Sequence, residues 1–360
     1  MSVEEKFKEC RGGYMYTIKD YISFYKDNSL EEVHWNEMDN LLCAILVYIT
    51  IDSYNKELTL NEFFTYIQPF KAKLSGVMAP IAYKLLDIIK SSKRYNTLKI
   101  SNFQSIKNDD TQFGAAVFKI NDIKIISYKG TDGSLIGWIE NFRLGYQYPT
   151  YTQILAQEYL VKNVASNDKE VYVVGHSKGG NLAMASVMTA STEVYDKIKT
   201  VYNFDGPGFR KEEYQSNKYH RLKEKLINIL PTGSVVGTIL NNRDYLVVKS
   251  TEKAFNEHYP TSWCMFGEHF IKGELSNISK QLHESTTIGF SKLNQEKVEE
   301  TFESIFKSLP KDYSDNFKFS LSDLKSFYEN MRNVDPDVKN YVDTIIDTMI
   351  KATYEKENDK

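Results

Sequence analysis

The sequence predicts an α/β fold with a mostly parallel sheet and helical additions at both ends. Three observations lead to this fold class. From about residue 97 to residue 262, short β-rich runs alternate with segments of helical periodicity, whereas both flanking parts lack strand punctuation. Two of the runs are separated only by Asn121 and Asp122, which is typical of a hairpin turn. The later runs are separated by helical segments, and such crossovers join parallel strands.

The N-terminal part, residues 1–96, is predicted to be helical. Apolar residues recur at three- and four-residue spacing in residues 14–24, 37–51 and 78–93. Thr59 or Asn61 can cap a further helix that begins next to them. We expect this part to form a cap or lid.

The α/β core is predicted to cover residues 97–262, and a helical C-terminal part residues 263–360. The expected core strands are residues 112–120, 123–128, 170–174, 200–204, 226–230 and 245–249. The expected core helices are residues 152–164, 178–189 and 218–225. The amphipathic segments of the C-terminal part are residues 296–309, 321–332 and 336–354.

Composition and charge limit the classes of function. Of the 360 residues, 41% are apolar and 26% are charged, as in ordinary globular proteins. A net charge of −3 argues against a general nucleic-acid binder. The three cysteines lie far apart, and the sequence has no HExxH motif, no CxxC pair and no P-loop. We therefore expect no disulfide framework, no metal and no cofactor.

The sequence also indicates where in the cell the protein is expected. The first residues show no apolar stretch of the secretory type, and the longest apolar run, residues 41–51, is too short to cross a bilayer. We therefore expect a cytoplasmic protein without a transmembrane segment. The sequence leaves the oligomeric state open.

The clearest chemical pattern lies at residues 175–180, which read GHSKGG. A β-rich run leads into this G-x-S-x-G motif, and a helical segment rich in small residues follows it. Such a sharp turn exposes the central serine, here Ser177, in strained backbone, and Gly175 and Gly179 avoid collisions there. We predict that Ser177 is a nucleophile, with a plain tight turn as the alternative. His176 is interpreted as a packing residue, because its side chain points away from that of Ser177.

A second glycine-containing turn lies about fifty residues earlier, where residues 129–134 read KGTDGS after a predicted strand. The backbone amide of Thr131 at this strand end could supply one hydrogen bond to a developing oxyanion. The amide of Lys178, at the start of a helix, would supply the other. The alternative is a glycine-rich loop that caps the helix around Trp138.

Together, these motifs resemble the class 3 lipases, a subgroup of the α/β hydrolases with an Arg-Gly-Ser/Thr strand end and a GHSLGG turn. More closely, nearly the full chain resembles a bacterial lipase-like family called Mbeg-like. The matching segments are residues 20–22, 38–41, 130–132, 138–142, 204–209, 231–237, 247–250 and 258–263. The resemblance implies an α/β-hydrolase-type sheet, and it implies no particular substrate.

Two departures from the class 3 lipases concern the site. Those enzymes carry an acidic residue in a turn that matches residues 231–237 here, and this turn, PTGSVVG, contains no carboxylate. Lys129 stands where those enzymes have arginine, which keeps the positive charge but loses the planar guanidinium fork.

A serine hydroxyl needs an imidazole to take its proton and, usually, a carboxylate to orient that imidazole. In α/β hydrolases the order along the chain is Ser, acid, His. His258 follows the last predicted core strand through a loop and is the preferred base, with His269 in reserve. Asp205, at the end of a predicted strand, is the preferred acid, and Asp244 is the second choice.

The assignment of the acid has an alternative. Asp205 could instead cap its own Asp-Gly-Pro turn through backbone amides. The site would then be a Ser–His dyad with Ser234 as a polar group that orients the base.

The sequence therefore predicts a serine hydrolase of the lipase or esterase type that cleaves a small acyl ester, a thioester or a lipid. The rival hypothesis is a binding or regulatory protein on the same scaffold, because a fold shared with enzymes does not establish catalysis. A peptidase or acyltransferase that uses the same Ser–His pair is a third hypothesis. Acyl chain length stays open.

Overall fold

A computed structural model describes residues 15–49, 52–74, 76–108, 110–132, 135–292 and 296–300, together with residues 303 and 336. Its centre is an eight-stranded sheet whose strands lie side by side in chain order. The strands are Leu58–Thr59 (β1), Lys99–Lys107 (β2), Gln112–Ile120 (β3), Ile123–Tyr128 (β4), Glu170–His176 (β5), Ile198–Phe204 (β6), Leu226–Pro231 (β7) and Leu246–Val248 (β8). A separate two-stranded sheet follows, formed by Met265–Phe266 (β9) and His269–Phe270 (β10).

The described α-helices lie before, between and after these strands. They are Ile18–Tyr25 (α1), Glu37–Leu46 (α2), Leu60–Ile67 (α3), Met78–Ile89 (α4), Leu135–Arg143 (α5), Tyr151–Asn163 (α6), Lys178–Met188 (α7), Thr192–Lys197 (α8), Lys211–Tyr214 (α9), Asn217–Lys223 (α10) and Asn277–Lys292 (α11). None of the described helices combines the length and the apolar character that a bilayer crossing requires.

The sheet divides into two halves by strand direction. Strands β1 to β4 pair with their neighbours in antiparallel fashion, and β4 to β8 pair in parallel. The hairpin between β3 and β4 turns at Asn121, whose φ of 52° lies in the left-handed region that asparagine tolerates. The predicted α/β fold class with its mostly parallel sheet is therefore confirmed.

Both faces of the sheet are covered, and β5 illustrates how. Val171 and Val173 belong to one hydrophobic core, and Tyr172 and Val174 belong to the other. This alternation is the two-residue period of a strand. Helices α6 and α7 pack on the first face, and the N-terminal helices α1 to α4 share the core of the second.

Helix α2 is the N-terminal helix closest to the centre of the sheet, since it packs against β4 and β5. The Asn36 side chain caps it by accepting a hydrogen bond from the Met38 amide at 2.9 Å. The helix ends at Leu46, earlier than the predicted residue 51, and the chain turns at Val47 and Tyr48. The role of cap or lid for residues 1–96 and the three-part division of the chain stay predictions.

Three sequence-based expectations differ from the structure. The N-terminal part was expected to be helical, but β1 within it is a strand of two residues at the edge of the main sheet. Strand β2 was not among the expected strands, because it is largely polar and carries a bulge between Ser101 and Gln104. The part after residue 262 was expected to be helical throughout, but β9 and β10 are strands of two residues each, too short for a sequence pattern. The predicted segment 321–332 lies outside the described residues, as do all of 336–354 except residue 336 and most of 296–309.

Candidate active site

Ser177 lies at the sharp turn between β5 and α7. Its φ of 59° and ψ of −134° place a non-glycine residue in a sparsely populated backbone region, which costs about 1–3 kcal/mol. Its amide donates to the Phe204 carbonyl at 2.9 Å, and its carbonyl accepts from the Gly180 amide at 2.9 Å. These two hydrogen bonds hold the strained serine between β6 and the first turn of α7.

The glycines around Ser177 are required by close backbone approach. A Cβ on Gly175 would lie 2.1 Å from the Gly179 carbonyl oxygen, and a Cβ on Gly179 would lie 2.2 Å from the Tyr128 carbonyl oxygen. Neither position has space for a side chain. The turn therefore depends on both glycines of the G-x-S-x-G motif.

The end of β4 lies directly beside the serine. A Cβ on Gly130 would lie 3.1 Å from the Cβ of Ser177. Thr131 follows, and its hydroxyl oxygen accepts a hydrogen bond from the side-chain amide of Asn141 on α5 at 3.0 Å. Lys178 is the first residue of α7, so its amide belongs to the first turn, where amides have no intrahelical acceptor. Both candidate oxyanion donors thus belong to segments that contact Ser177.

The structure brings His258 and Asp205 together. Nδ1 of His258 lies 2.6 Å from the carboxylate oxygen Oδ2 of Asp205, and both residues are buried. Asp205 directly follows β6 and has a φ of 52°. Its amide donates to the Ile229 carbonyl of β7 at 2.8 Å, which fixes its backbone at the carboxyl end of the parallel strands.

The other oxygen of the Asp205 carboxylate is held by the 231–237 turn. Oδ1 accepts a hydrogen bond from the Ser234 hydroxyl and another, at 3.1 Å, from the Gly237 amide. Ser234 therefore contacts the carboxylate and not His258, unlike the arrangement expected for a Ser–His dyad. The turn that lacks an acid of its own supplies the donors for the carboxylate of the neighbouring strand.

The alternative role for Asp205 was to cap its own turn through backbone amides. Asn203 caps this turn instead. The side chain of Asn203 accepts from the Gly206 amide at 2.9 Å and donates to the Gly206 carbonyl at 3.1 Å. Asn203 was not predicted from the sequence, since an asparagine inside a strand carries no recognisable turn signal. The Asp205 carboxylate is thereby left to face His258.

The reserve residues make their contacts elsewhere. His269 lies on β10 with 86% of its side chain exposed, and its nearest carboxylate is that of Glu37 at 3.6 Å. Asp244 pairs with Lys223 at 2.9 Å and accepts from the Tyr214 hydroxyl at 3.3 Å. Neither residue joins the pair of His258 and Asp205.

His176 is buried beneath the turn and makes polar contacts through both ring nitrogens. Nδ1 lies 2.9 Å from the hydroxyl of Tyr48, and Nε2 lies 2.8 Å from the backbone carbonyl oxygen of His258. Burial lowers the pKa of His176 well below its usual value, and the neighbouring His258 ring lowers it further. The residue was interpreted as a packing residue, and the structure adds these two hydrogen bonds.

The segment that carries His258, residues 254–263, is here called the His258 loop. The carboxylate of Glu257 accepts from the Gly233 amide at 2.7 Å, and the carbonyl of Glu257 accepts from the indole N–H of Trp263 at 2.7 Å. With the bond from His176 to the His258 carbonyl, these hydrogen bonds hold the part of the loop next to the imidazole.

The side chain of Lys178 points away from the serine and is buried. Its ammonium group donates to the Gln112 carbonyl at 2.6 Å, to the Gln112 side chain at 2.8 Å, and to the carboxylate of Glu140 on α5. Burial raises the pKa of Glu140, and the charge of Lys178 opposes that rise. An ion pair therefore links the first residue of α7 to the helix that follows the β4 loop.

Two cavities lie near these elements. One of about 780 Å³ is lined by Glu140, Arg143 and Thr150, among others, and one of about 620 Å³ lies between the N-terminal segment and the His258 loop at Tyr259. Ser177 is not among the described residues that line either cavity. Among the described residues, no group of three or more histidine, cysteine, aspartate or glutamate side chains is arranged to hold a metal ion.

Comparisons with known proteins found one matching family and similar solved structures. A family model described as Mbeg1-like matches residues 89–307. Among solved structures, the crystal structure of M37 lipase is similar at 14% identity and a TM-score of 0.38, covering 57% of this chain and 69% of its own. Lip2 lipase from Yarrowia lipolytica is similar at 12% identity and a TM-score of 0.35, covering 77% of this chain and 94% of its own. No curated protein matches the chain.

Proposed function

The chain belongs to the Mbeg1-like family, and we propose that it is a serine hydrolase that cleaves an ester or thioester of a small acyl or lipid substrate. The observation that carries the proposal is the contact of 2.6 Å between His258 Nδ1 and the buried carboxylate of Asp205. Such a contact keeps the second ring nitrogen, Nε2, unprotonated in the neutral ring and therefore able to accept a proton.

In this proposal Ser177 is the nucleophile. Its Oγ attacks the acyl carbon while His258 Nε2 takes the hydroxyl proton, and the same nitrogen then gives that proton to the leaving alcohol or thiol. Asp205 stabilises the imidazolium that forms in between. In the second half of the reaction, water attacks the acyl-enzyme while His258 Nε2 takes its proton. The same nitrogen then gives that proton to Ser177 Oγ, which releases the acid and restores Ser177.

The oxyanion of the tetrahedral intermediate would be stabilised by the amides of Thr131 and Lys178. Two observations support this part of the proposal. Gly130 packs against Ser177, and Lys178 is the first residue of α7, whose N-terminal end carries a partial positive charge.

His258 is a better candidate for the base than His176. Both ring nitrogens of His176 are already engaged, by Tyr48 and by the His258 carbonyl, and its burial disfavours the protonated form that a base must pass through. His258 has one nitrogen on Asp205, and its Nε2 is the nitrogen left for the serine proton.

The first experiment is covalent labelling with a fluorophosphonate, followed by intact-protein and peptide mass spectrometry. We expect one adduct, located on Ser177, and none in Ser177→Ala. Ser186→Ala is the matched control, because Ser186 is a buried serine on the same helix whose hydroxyl donates to the Ala183 carbonyl. This control should label like the wild-type protein.

The second experiment measures hydrolysis of p-nitrophenyl esters and of acyl thioesters over short and long acyl chains. A preference between the two series identifies the scissile bond. Absence of an adduct on Ser177 together with absence of turnover in both series would instead favour the binding-protein hypothesis.

A further inference from the structure

We propose that His176 is a positioning residue that holds the backbone of His258 and thereby keeps the His258 imidazole on Asp205. This inference rests on the proposed function, in which His258 is the general base. It adds a residue of the G-x-S-x-G motif, other than the serine, to the machinery of the site.

The neighbours of His176 determine which of its ring nitrogens carries the proton. A carbonyl oxygen only accepts hydrogen bonds, so Nε2 of His176, 2.8 Å from the His258 carbonyl oxygen, must be the donor. In a neutral imidazole the other nitrogen then has no proton and needs a donor. The Tyr48 hydroxyl, 2.9 Å from Nδ1, supplies it. The two neighbours together fix one tautomer and one ring orientation.

The His176 and His258 rings are close enough for a charge on one to affect the other. The ring centroids of His176 and His258 lie 4.6 Å apart, so two positive charges there would repel each other. Of the two rings, it is the His258 ring that contacts Asp205, whereas the His176 ring contacts a phenol and a carbonyl group. Burial keeps His176 neutral, so the charge that forms when Ser177 loses its proton is confined to His258.

Tyr48 links His176 to other parts of the site. Its hydroxyl also accepts a hydrogen bond from the Gly130 amide, and it lies 3.2 Å from the His176 carbonyl oxygen. One side chain from the N-terminal part thus contacts the strand end beside the serine and the residue before the serine. Because His176 is hydrogen-bonded to the His258 carbonyl, the same side chain also supports the loop that carries His258.

Two substitutions of equal polarity separate this role from a structural one. In His176→Gln the terminal amide nitrogen occupies nearly the place of Nε2 and can still donate to the His258 carbonyl. In His176→Asn the shorter amide reaches only the place of Nδ1, so the contact with Tyr48 is kept and the one with His258 is lost. Both variants bury one amide in place of one imidazole.

We expect His176→Asn to lower the rate of phosphonate labelling of Ser177 by about 100-fold, since a displacement of ~1 Å at a catalytic group has effects of that size. His176→Gln should recover most of that loss. If His176 matters only for packing, the two variants should label alike, and that result would overturn the inference.

The second readout does not depend on catalysis. A proton shared between His258 Nδ1 and a buried carboxylate gives a low-field proton NMR resonance. We expect this resonance to persist in the wild-type protein and in His176→Gln, and to broaden or disappear in folded His176→Asn. Its persistence in His176→Asn, at wild-type sharpness, would refute the inference.

The two proposals fail in different ways. A wild-type protein that is not labelled on Ser177 contradicts the proposed hydrolase, and the NMR comparison then still decides whether His176 holds His258. If His176→Asn does not fold, Tyr48→Phe tests the position of the His176 ring from its other nitrogen, since it removes the donor to Nδ1 that orients the ring toward the His258 carbonyl. We expect a loss of labelling of about tenfold in that variant, and wild-type labelling there would contradict the inference.

Discussion

The turn around Ser177 and the His258 loop carry two residues of the proposed site, but different forces shape them. The turn is fixed by backbone contacts, since glycines at 175 and 179 approach carbonyl groups more closely than any side chain allows. Next to His258 the loop is held by side chains: Glu257, Trp263 and His176 each contribute one hydrogen bond, and a backbone bond from Thr251 to Ser262 holds its end. We therefore expect substitutions in the turn to abolish function abruptly, and substitutions in the loop to reduce it in graded steps.

The largest effect is expected at the turn, for Gly175→Ala. The added methyl group would lie 2.1 Å from the Gly179 carbonyl oxygen, and neither backbone segment can move without displacing Ser177. We expect labelling of Ser177 to fall below detection and the free energy of unfolding to fall by about 3 kcal/mol or more. Labelling kinetics and urea unfolding measure the two effects. Labelling at the wild-type rate would show that the turn is more adaptable than the contacts indicate.

The next largest effect is expected for Asp205→Asn. An amide in place of the carboxylate can donate to His258 Nδ1, which favours the wrong tautomer, so the rates of labelling and hydrolysis should fall by about 10³- to 10⁴-fold. Asp244→Asn is the matched control, because Asp244 pairs with Lys223 near the surface. The control should keep wild-type rates, and equal losses in both variants would reject Asp205 as the acid.

A smaller effect is expected for Glu257→Ala, which removes the acceptor for the Gly233 amide. One of the hydrogen bonds that hold the loop next to His258 is lost, so we expect labelling to slow by about tenfold, as for the loss of one hydrogen bond of ~1.5 kcal/mol. Glu257→Gln keeps an acceptor oxygen and should be closer to the wild-type rate. A loss as complete as that of Gly175→Ala would remove the proposed contrast between turn and loop.

The smallest effect concerns stability and pH. The pKa of His176 is lowered in the folded protein, whereas an imidazole in the unfolded chain titrates near about 6.5. Below that pH the unfolded chain binds a proton that the folded chain does not, so stability is complete above it and decreases on acidification. The contribution of this residue is at most about 1.4 kcal/mol per pH unit.

Urea unfolding of the wild-type protein and of His176→Gln at about pH 7.5 and about pH 5.5 isolates this contribution, because the other titrating groups are common to both. We expect the wild-type protein to lose more stability than the variant between the two conditions. An equal loss would mean that His176 does not resist protonation in the folded state.

The sequence predicted those parts of the site that follow from local pattern. Strand β5, the GHSKGG turn and helix α7 form one continuous signal, and the β3–β4 hairpin has a turn of two residues. The choice between Asp205 and Asp244 was not decided by pattern, because both follow or precede a strand. Only the strand order places the carboxylate of Asp205 beside His258.

The parts that sequence reasoning missed depend on long-range contacts. Tyr48 lies 128 residues from His176, and His176 lies 82 residues from His258. Residues so far apart in the sequence form no recognisable motif. The acceptor role of Glu257 and the capping role of Asn203 likewise become visible only when a neighbouring turn is in place.

The ion pair between Lys178 and Glu140 limits how this sequence can change over time. Leucine stands after the serine in the class 3 lipases that the motif resembles, but Lys178→Leu alone would leave the Glu140 carboxylate buried without its partner. An unpaired buried charge costs about 3–5 kcal/mol, of the order of the whole stability of many domains. Lysine at 178 and glutamate at 140 are therefore expected to be inherited or replaced as a pair.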